Sequence, residues 1–252
     1  MNNQVHSEAE SNDISKLRQD LAAAFRLCHQ FGWSESVGNH FSAAASRDGR
    51  RFLLNSCWQH FATIRASDLM LLNADDPDVM TGPNPPDASA WTIHGAMHRL
   101  LPEARVILHC HSPYAVALSC LKDPALLPLD NNTARFTGRT AYDLNFSGIA
   151  DAEREGLRLA ESMKGKSILV MGNHGVTITG KTVADAFEDL YFFEKAAQTM
   201  ILALSSGKPL AVMSEEVAQQ TADGWDSYRG MAQRHFDYLK STLDAADPSW
   251  RE

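Results

Sequence analysis

Residues 104–121, ARVILHCHSPYAVALSCL, join an apolar strand directly to a helix. The unbroken run VIL before His109 and His111 reads as a buried strand, and Pro113 sits in a first helical turn, where its missing N–H has no partner to lose. Around this unit strands and helices interleave without an internal repeat, the pattern of a layered α/β domain. On the N-terminal side, Leu17, Leu21, Ala24, Phe25 and Cys28 have helical spacing, with Asp13 or Ser15 as a cap and Gly32 as a stop. GNHFSAAASRDGRRFLLNSC reads as strand, turn and strand, and RASDLMLLN as a further strand before a loop rich in Asp and Pro. Ala88 to Leu101 reads as a helix capped by Asp87. Residues 122–148 show no clear period. Beyond them come an amphipathic helix at 150–165, the buried SILVMGNHGVTITG broken by a turn, a long helix, and a helical tail between Glu215 and Ala245. The polar residues 1–12 read as a disordered tail, and 13–252 as one domain.

Composition narrows the function. A chain of 252 residues, 44% hydrophobic, can bury a full core, and a net charge of −8 does not suit a surface that neutralises nucleic-acid phosphates or anionic lipid. No stretch approaches the roughly 20 apolar residues of a membrane span, and the N-terminus lacks a signal-peptide core, so a cytoplasmic protein acting on a small molecule is expected, with no nucleic-acid or membrane partner. Its four cysteines form no CxxC pair and read as free thiols.

His109 and His111, at i and i+2 on a strand, project to one face and can reach one cation together, while Cys110 points away. His174, which closes the second apolar run just before Gly175, is the best third ligand; three protein ligands leave a coordination position open for water or substrate. A half-buried imidazole with one hydrogen bond is the alternative for each. His94 and His98 in HGAMH lack the glutamate of a metalloprotease helix. Asp75, Asp76 and Asp78 lack the ligand spacing of a calcium loop, and LYFFEKAAQ is a packing face.

In order along the chain, SVGNHFS, the capped helix with His94, PEARVILHCHSPYAVALS and ILVMGNHGVTITGKTVADAF resemble the class II aldolase and adducin head-domain family, from about Leu17 to Leu204. The resemblance implies a single-domain three-layer α/β/α sandwich around a mostly antiparallel sheet, commonly a homotetramer with sites between subunits. It implies a divalent metal, Zn2+ or Mn2+, on His109, His111 and His174, where it would stabilise an enolate as a carbon–carbon bond breaks. Asn39, His40, Asp87 and His94 could each face that metal, Asp87 and His40 as catalytic groups and Asn39 and His94 as substrate contacts; the alternatives are that Asp87 only caps its helix and that His94 is a packed helix residue. Arg135 and Arg139 would bind a substrate carboxylate and Tyr142 would give a proton, since in the family this region lies near the active site, often that of a neighbouring subunit; the alternative is that all three serve the intersubunit surface.

The departures from the family are specific. The acid/base glutamate four residues before the histidine matching His94 is here Ala90, and the phosphate-binding serines and Thr-Pro-Thr-Gly segment are replaced by PPDASAW and LLNSCWQ. A phosphate dianion would lack its donors. The expected function is a metal-dependent lyase, performing decarboxylation or retro-aldol cleavage on an unphosphorylated substrate with carboxylate or hydroxyl groups beside a carbonyl or aromatic ring. The alternative is a non-catalytic adducin-like assembly or binding module.

Overall fold

His40 lies opposite His109 across one strand pair, and His109 lies opposite Thr177 across the next, so two short ladders set three polar side chains in a row on one sheet face. The strands are β1 (His40–Ala44), β2 (Arg51–Leu54), β3 (Met70–Asn73), β4 (Val106–Cys110), β5 (Thr140–Asp143), β6 (Ile168–Met171) and β7 (Gly175–Gly180). They form one sheet in the order β3-β2-β1-β4-β7-β6-β5, antiparallel at every junction except β5 with β6. The computed structural model describes residues 2–145, 148, 153–228 and 230–252, with side chains from Asp13 onward. Among these the helices are α1 (Asn2–Gln30), α2 (Ala88–Leu100), α3 (Pro113–Ser119), α4 (Asn131–Ala134), α5 (Glu153–Met163), α6 (Val183–Ser205), α7 (Glu215–Ser227) and α8 (Gly230–Ala246). None is long and apolar enough to cross a membrane.

Strand alternation divides the core into the expected layers. Leu108 and Cys110 of β4 pack with Phe41, Val176 and Ile178 against α1, α3, α6 and α8, whereas Ile107 packs with Leu169 and Met171 against α2 and α5. Cys110 is fully buried on the face opposite the histidines, as period-two alternation requires. The α2–α5 contact is close because Gly156 has no side chain: a Cβ there would lie 2.1 Å from the Thr92 carbonyl oxygen. Asp87 caps α2 by accepting from the Ser89 and Ala90 amides, a contribution of about 1 kcal/mol.

Two segments differ from expectation. Helix α1 begins at Asn2, so its backbone is helical across residues 2–12, which read as a tail; propagating a helix that is already nucleated costs little. Residues 122–148, read as a loop, hold the single turn of α4 and the four-residue strand β5. Both are too short to carry a period: α4 is closed by a reciprocal cap between Asp130 and Thr133, and β5 pairs with β6. The start of the helix expected at 150–165, residues 150–152, lies outside the described residues.

Candidate metal centre

His109 is the last residue but one of β4 and faces the α2 side, His111 follows directly after the strand, and His174 comes from the turn between β6 and β7. Their ligating atoms all lie within 4.8 Å of one another, the one such cluster of three or more ligating side chains among the described residues. The approach depends on Gly175, where a Cβ would stand 2.7 Å from the Cys110 carbonyl oxygen and 2.8 Å from His111 Cδ2. Asn173, in the left-handed region at φ 54°, completes the turn.

Hydrogen-bond partners assign a tautomer to two of the three rings. The Thr177 hydroxyl donates to Met171 Sδ at 3.4 Å, so its oxygen accepts from His109 Nδ1–H at 3.1 Å and leaves Nε2 as the lone pair. The Glu35 carboxylate accepts from His111 Nδ1–H, and His111 Nε2 is buried with no partner. Such a buried lone pair, beside a second one from His109, fits a divalent cation, and the carboxylate–histidine arrangement is the usual outer support for one. Burial holds His109 well below the usual imidazole range, assisted by His40, His174 and His111. Burial, with His111, lowers His174 to about 4. Both are therefore neutral at pH 7, the form that ligates.

Sequence reasoning missed Glu35 and Thr177, which stand 76 and 68 residues from the histidines they orient, with no local pattern to join them. Replacing Glu35 by alanine is expected to weaken zinc affinity by roughly 10- to 100-fold while leaving the fold intact, measured by competition against a chelating dye.

A second set of histidines lies behind the first. The His40 ring stacks on His109 at 4.8 Å. His40 Nδ1 is 2.7 Å from His94 Nε2, His94 Nδ1 is 2.5 Å from Ser42 Oγ, and Ser42 Oγ is 2.8 Å from His98 Nε2. His94 is fully buried and is not among the residues that line the cavity: α2 carries it behind His40. Ala90 likewise faces Phe52 and Leu54 in an apolar cluster.

The cavity in front of these residues has a volume of about 590 Å³, and Asn39, His40, Asp87 and Trp58 line it together with the triad. Asn39 Nδ2 is buried without a partner, a donor available to a ligand. The Asp87 cap uses Oδ1 for all its bonds to Ser89 and Ala90, and Oδ2 takes none of them. Burial raises the Asp87 carboxyl, but the bonds from Ser89 and Ala90 and the nearby His40 outweigh it and leave it below its ordinary value. Among the described residues no lysine or arginine lines the cavity, whereas Glu35 and Asp87 do. Non-glycine residues with positive φ gather here: Asn39, Trp58 and Asn173 line the cavity, and Ser36 lies between two residues that do. Backbone strain of this kind concentrates at functional sites.

Arg135, Arg139 and Tyr142 are not brought to this cavity. Both arginines pair with the buried Asp189 of α6, and Arg135 also lies over the rings of Phe192 and Trp225 at 4.6 and 4.9 Å. The Tyr142 hydroxyl accepts from the Leu126 amide at 2.8 Å. In this chain these contacts tie residues 126–142 to the core, since a buried Asp189 carboxylate needs cationic partners.

The family model of the class II aldolase and adducin N-terminal domain matches residues 19–201. A Caulobacter vibrioides protein named for aldolase class 2 is 31% identical over 202 residues, which is 80% of this chain and 78% of that protein. Human β-adducin is 29% identical over 210 residues, 81% of this chain and 28% of the adducin. The crystal structure of an aldolase II superfamily protein from Pseudomonas syringae matches with a TM-score of 0.84 at 29% identity, covering 94% of this chain and 96% of that one. With the sheet order and the histidine cluster in place, the chain belongs to the class II aldolase and adducin N-terminal domain family.

Proposed function

We propose that the chain is a divalent-metal-dependent lyase that breaks a carbon–carbon bond, by decarboxylation or retro-aldol cleavage, in an unphosphorylated substrate with carboxylate or hydroxyl groups beside a carbonyl or aromatic ring. The observation that carries this reading is the convergence of His109, His111 and His174, with Thr177 and Glu35 turning the lone pairs of the first two inward. Zinc or manganese held there would act as a Lewis acid, drawing electron density from a substrate oxygen beside the breaking bond. The chain's own groups bind and orient: Asn39 Nδ2 donates to a substrate oxygen, Asp87 Oδ2 accepts from a hydroxyl, and His40 faces the reacting carbon. The proposed assembly is a homotetramer, and the proposed location is the cytoplasm.

The charge of the cavity supports an unphosphorylated substrate. Among the described residues two carboxylates and no lysine or arginine line it, so a phosphate dianion held away from the metal would have no charge-assisted donor, whereas a substrate carboxylate or hydroxyl would bind through the metal itself. Trp58, 74% exposed at the rim, offers a flat apolar face to an aromatic or carbonyl-conjugated group. L-Fuculose 1-phosphate and dihydroxyacetone phosphate are therefore expected not to be turned over in coupled assays with zinc-loaded protein; efficient cleavage of either would overturn the substrate assignment. The match to human β-adducin favours a second reading, a binding module without catalysis. Metal analysis of protein never exposed to chelator separates the two: stoichiometric zinc or manganese supports the lyase, and its absence supports the module.

A further inference from the structure

We propose that Ser42, His94 and His98 are positioning residues that hold His40 in a single tautomer, with its proton on the Nε2 that faces the cavity. This rests on the lyase reading only for its purpose, which is to present a hydrogen-bond donor where the substrate's reacting carbon and oxygen would lie.

The assignment follows from counting protons along the chain. Ser42 has one hydroxyl proton and stands between two imidazole nitrogens, His94 Nδ1 at 2.5 Å and His98 Nε2 at 2.8 Å. It must donate to one and accept from the other, so only two arrangements of neutral rings are complete. In the first, Ser42 donates to His98, His94 Nδ1–H donates to Ser42, and His40 Nδ1–H donates to His94 Nε2; His40 Nε2 then faces the cavity as a bare lone pair. In the second every donor is reversed: His98 Nε2–H donates to Ser42, Ser42 to His94 Nδ1, and His94 Nε2–H to His40 Nδ1. All three imidazoles then carry their proton on Nε2.

Two observations select the second arrangement. His98 is 1% exposed and its Nδ1 has no partner. The first arrangement would place a proton on that nitrogen and orphan a buried N–H donor, a rare condition in folded proteins; the second leaves only an unpaired acceptor. At the other end Asp87, whose Oδ2 is not used in capping α2, shares the cavity with His40, and its negative charge favours an N–H facing it over a lone pair. Burial keeps the inner rings neutral, as the counting requires: His98 is lowered to about 3, with Arg105 adding to the effect, and burial sets His94 well below its ordinary value.

Nitrogen-15 NMR of the imidazole rings in the full-length protein tests this, because two-bond couplings separate protonated from bare ring nitrogens. The expected result is Nε2–H for His40, His94 and His98 at pH 7.5, with Nδ1 bare in each. His40 protonated on Nδ1, or averaged between the two nitrogens, would overturn the proposal. In His94→Phe, which keeps the ring volume and removes the donor to His40 Nδ1, the His40 signals should become an exchanging mixture. An unchanged single tautomer there would show that the buried chain does not set it. Neither outcome depends on turnover, so failure of the lyase assignment and failure of this one are read separately.

Discussion

Replacing His109 or His111 by alanine is expected to abolish stoichiometric metal binding and, with it, lyase turnover. Each ring supplies one of three nitrogens, and both have their second nitrogen committed, His109 to Thr177 and His111 to Glu35. Neither can be replaced by a rotation of its neighbours. Loss of a direct ligand should exceed the roughly 100-fold that loss of an outer partner costs, so metal should no longer survive desalting. The fold should remain, since in the metal-free protein the removed ring contributes a desolvated imidazole to a cluster of its own kind. Cys110→Ala is the control: it sits between the two histidines in sequence but is buried on the opposite sheet face, so metal content should be unchanged. Elemental analysis of the three variants decides the matter. Full metal in His109→Ala, or loss of metal in Cys110→Ala with the fold intact, would show that the cation is held elsewhere.

What could be read from the sequence was whatever is encoded by short-range pattern. Period-two alternation placed His109 and His111 on one face and Cys110 on the other, and the apolar run before each histidine marked where strands end. The layered sandwich followed from interleaved periods, and Asp87 announced the start of α2. The outer partners were out of reach, because Glu35, Thr177 and Ser42 meet their histidines only through sheet register and loop placement. His94 shows the limit most clearly. Its position on α2 was readable, but whether that face meets the cavity or the back of His40 depends on how the helix is rotated against the sheet. Arg135 and Arg139 were assigned by residue type, and their pairing with the buried Asp189 depends on how α6 packs, which no local pattern announces. Strand β5 was invisible because four residues in a parallel edge pair carry no alternation strong enough to detect.

The concentration of neutral imidazoles makes a second large effect expected: metal-free protein should lose stability steeply as pH falls below 6.5. Burial is the leading cause for each of His40, His94, His98 and His109, which are held below their ordinary values in the folded state; His98 is lowered to about 3, and His174, also mainly by burial, to about 4. In the unfolded chain the same rings take up a proton near pH 6.5. Between 6.5 and these lowered values the unfolded state binds protons that the folded state refuses, so acid favours unfolding, and the stability present above 6.5 is lost progressively on the way down. Each such ring contributes a slope of up to about 1.4 kcal/mol per pH unit, and several act together. Asp87 and Asp143, also lowered although burial opposes it, have the same sign but act in the lower carboxylate range, which leaves the interval from 6.5 to 5 to the histidines. Thermal melts at fixed ionic strength from pH 7.5 to 5 should show a falling Tm. His98→Phe, whose ring can keep the 4.5 Å stack on Phe52, should flatten the fall by removing one of these groups. A Tm constant across that interval would mean that the rings are already protonated in the fold, and neither the ligating triad nor the buried chain behind it could then hold its lone pairs as described.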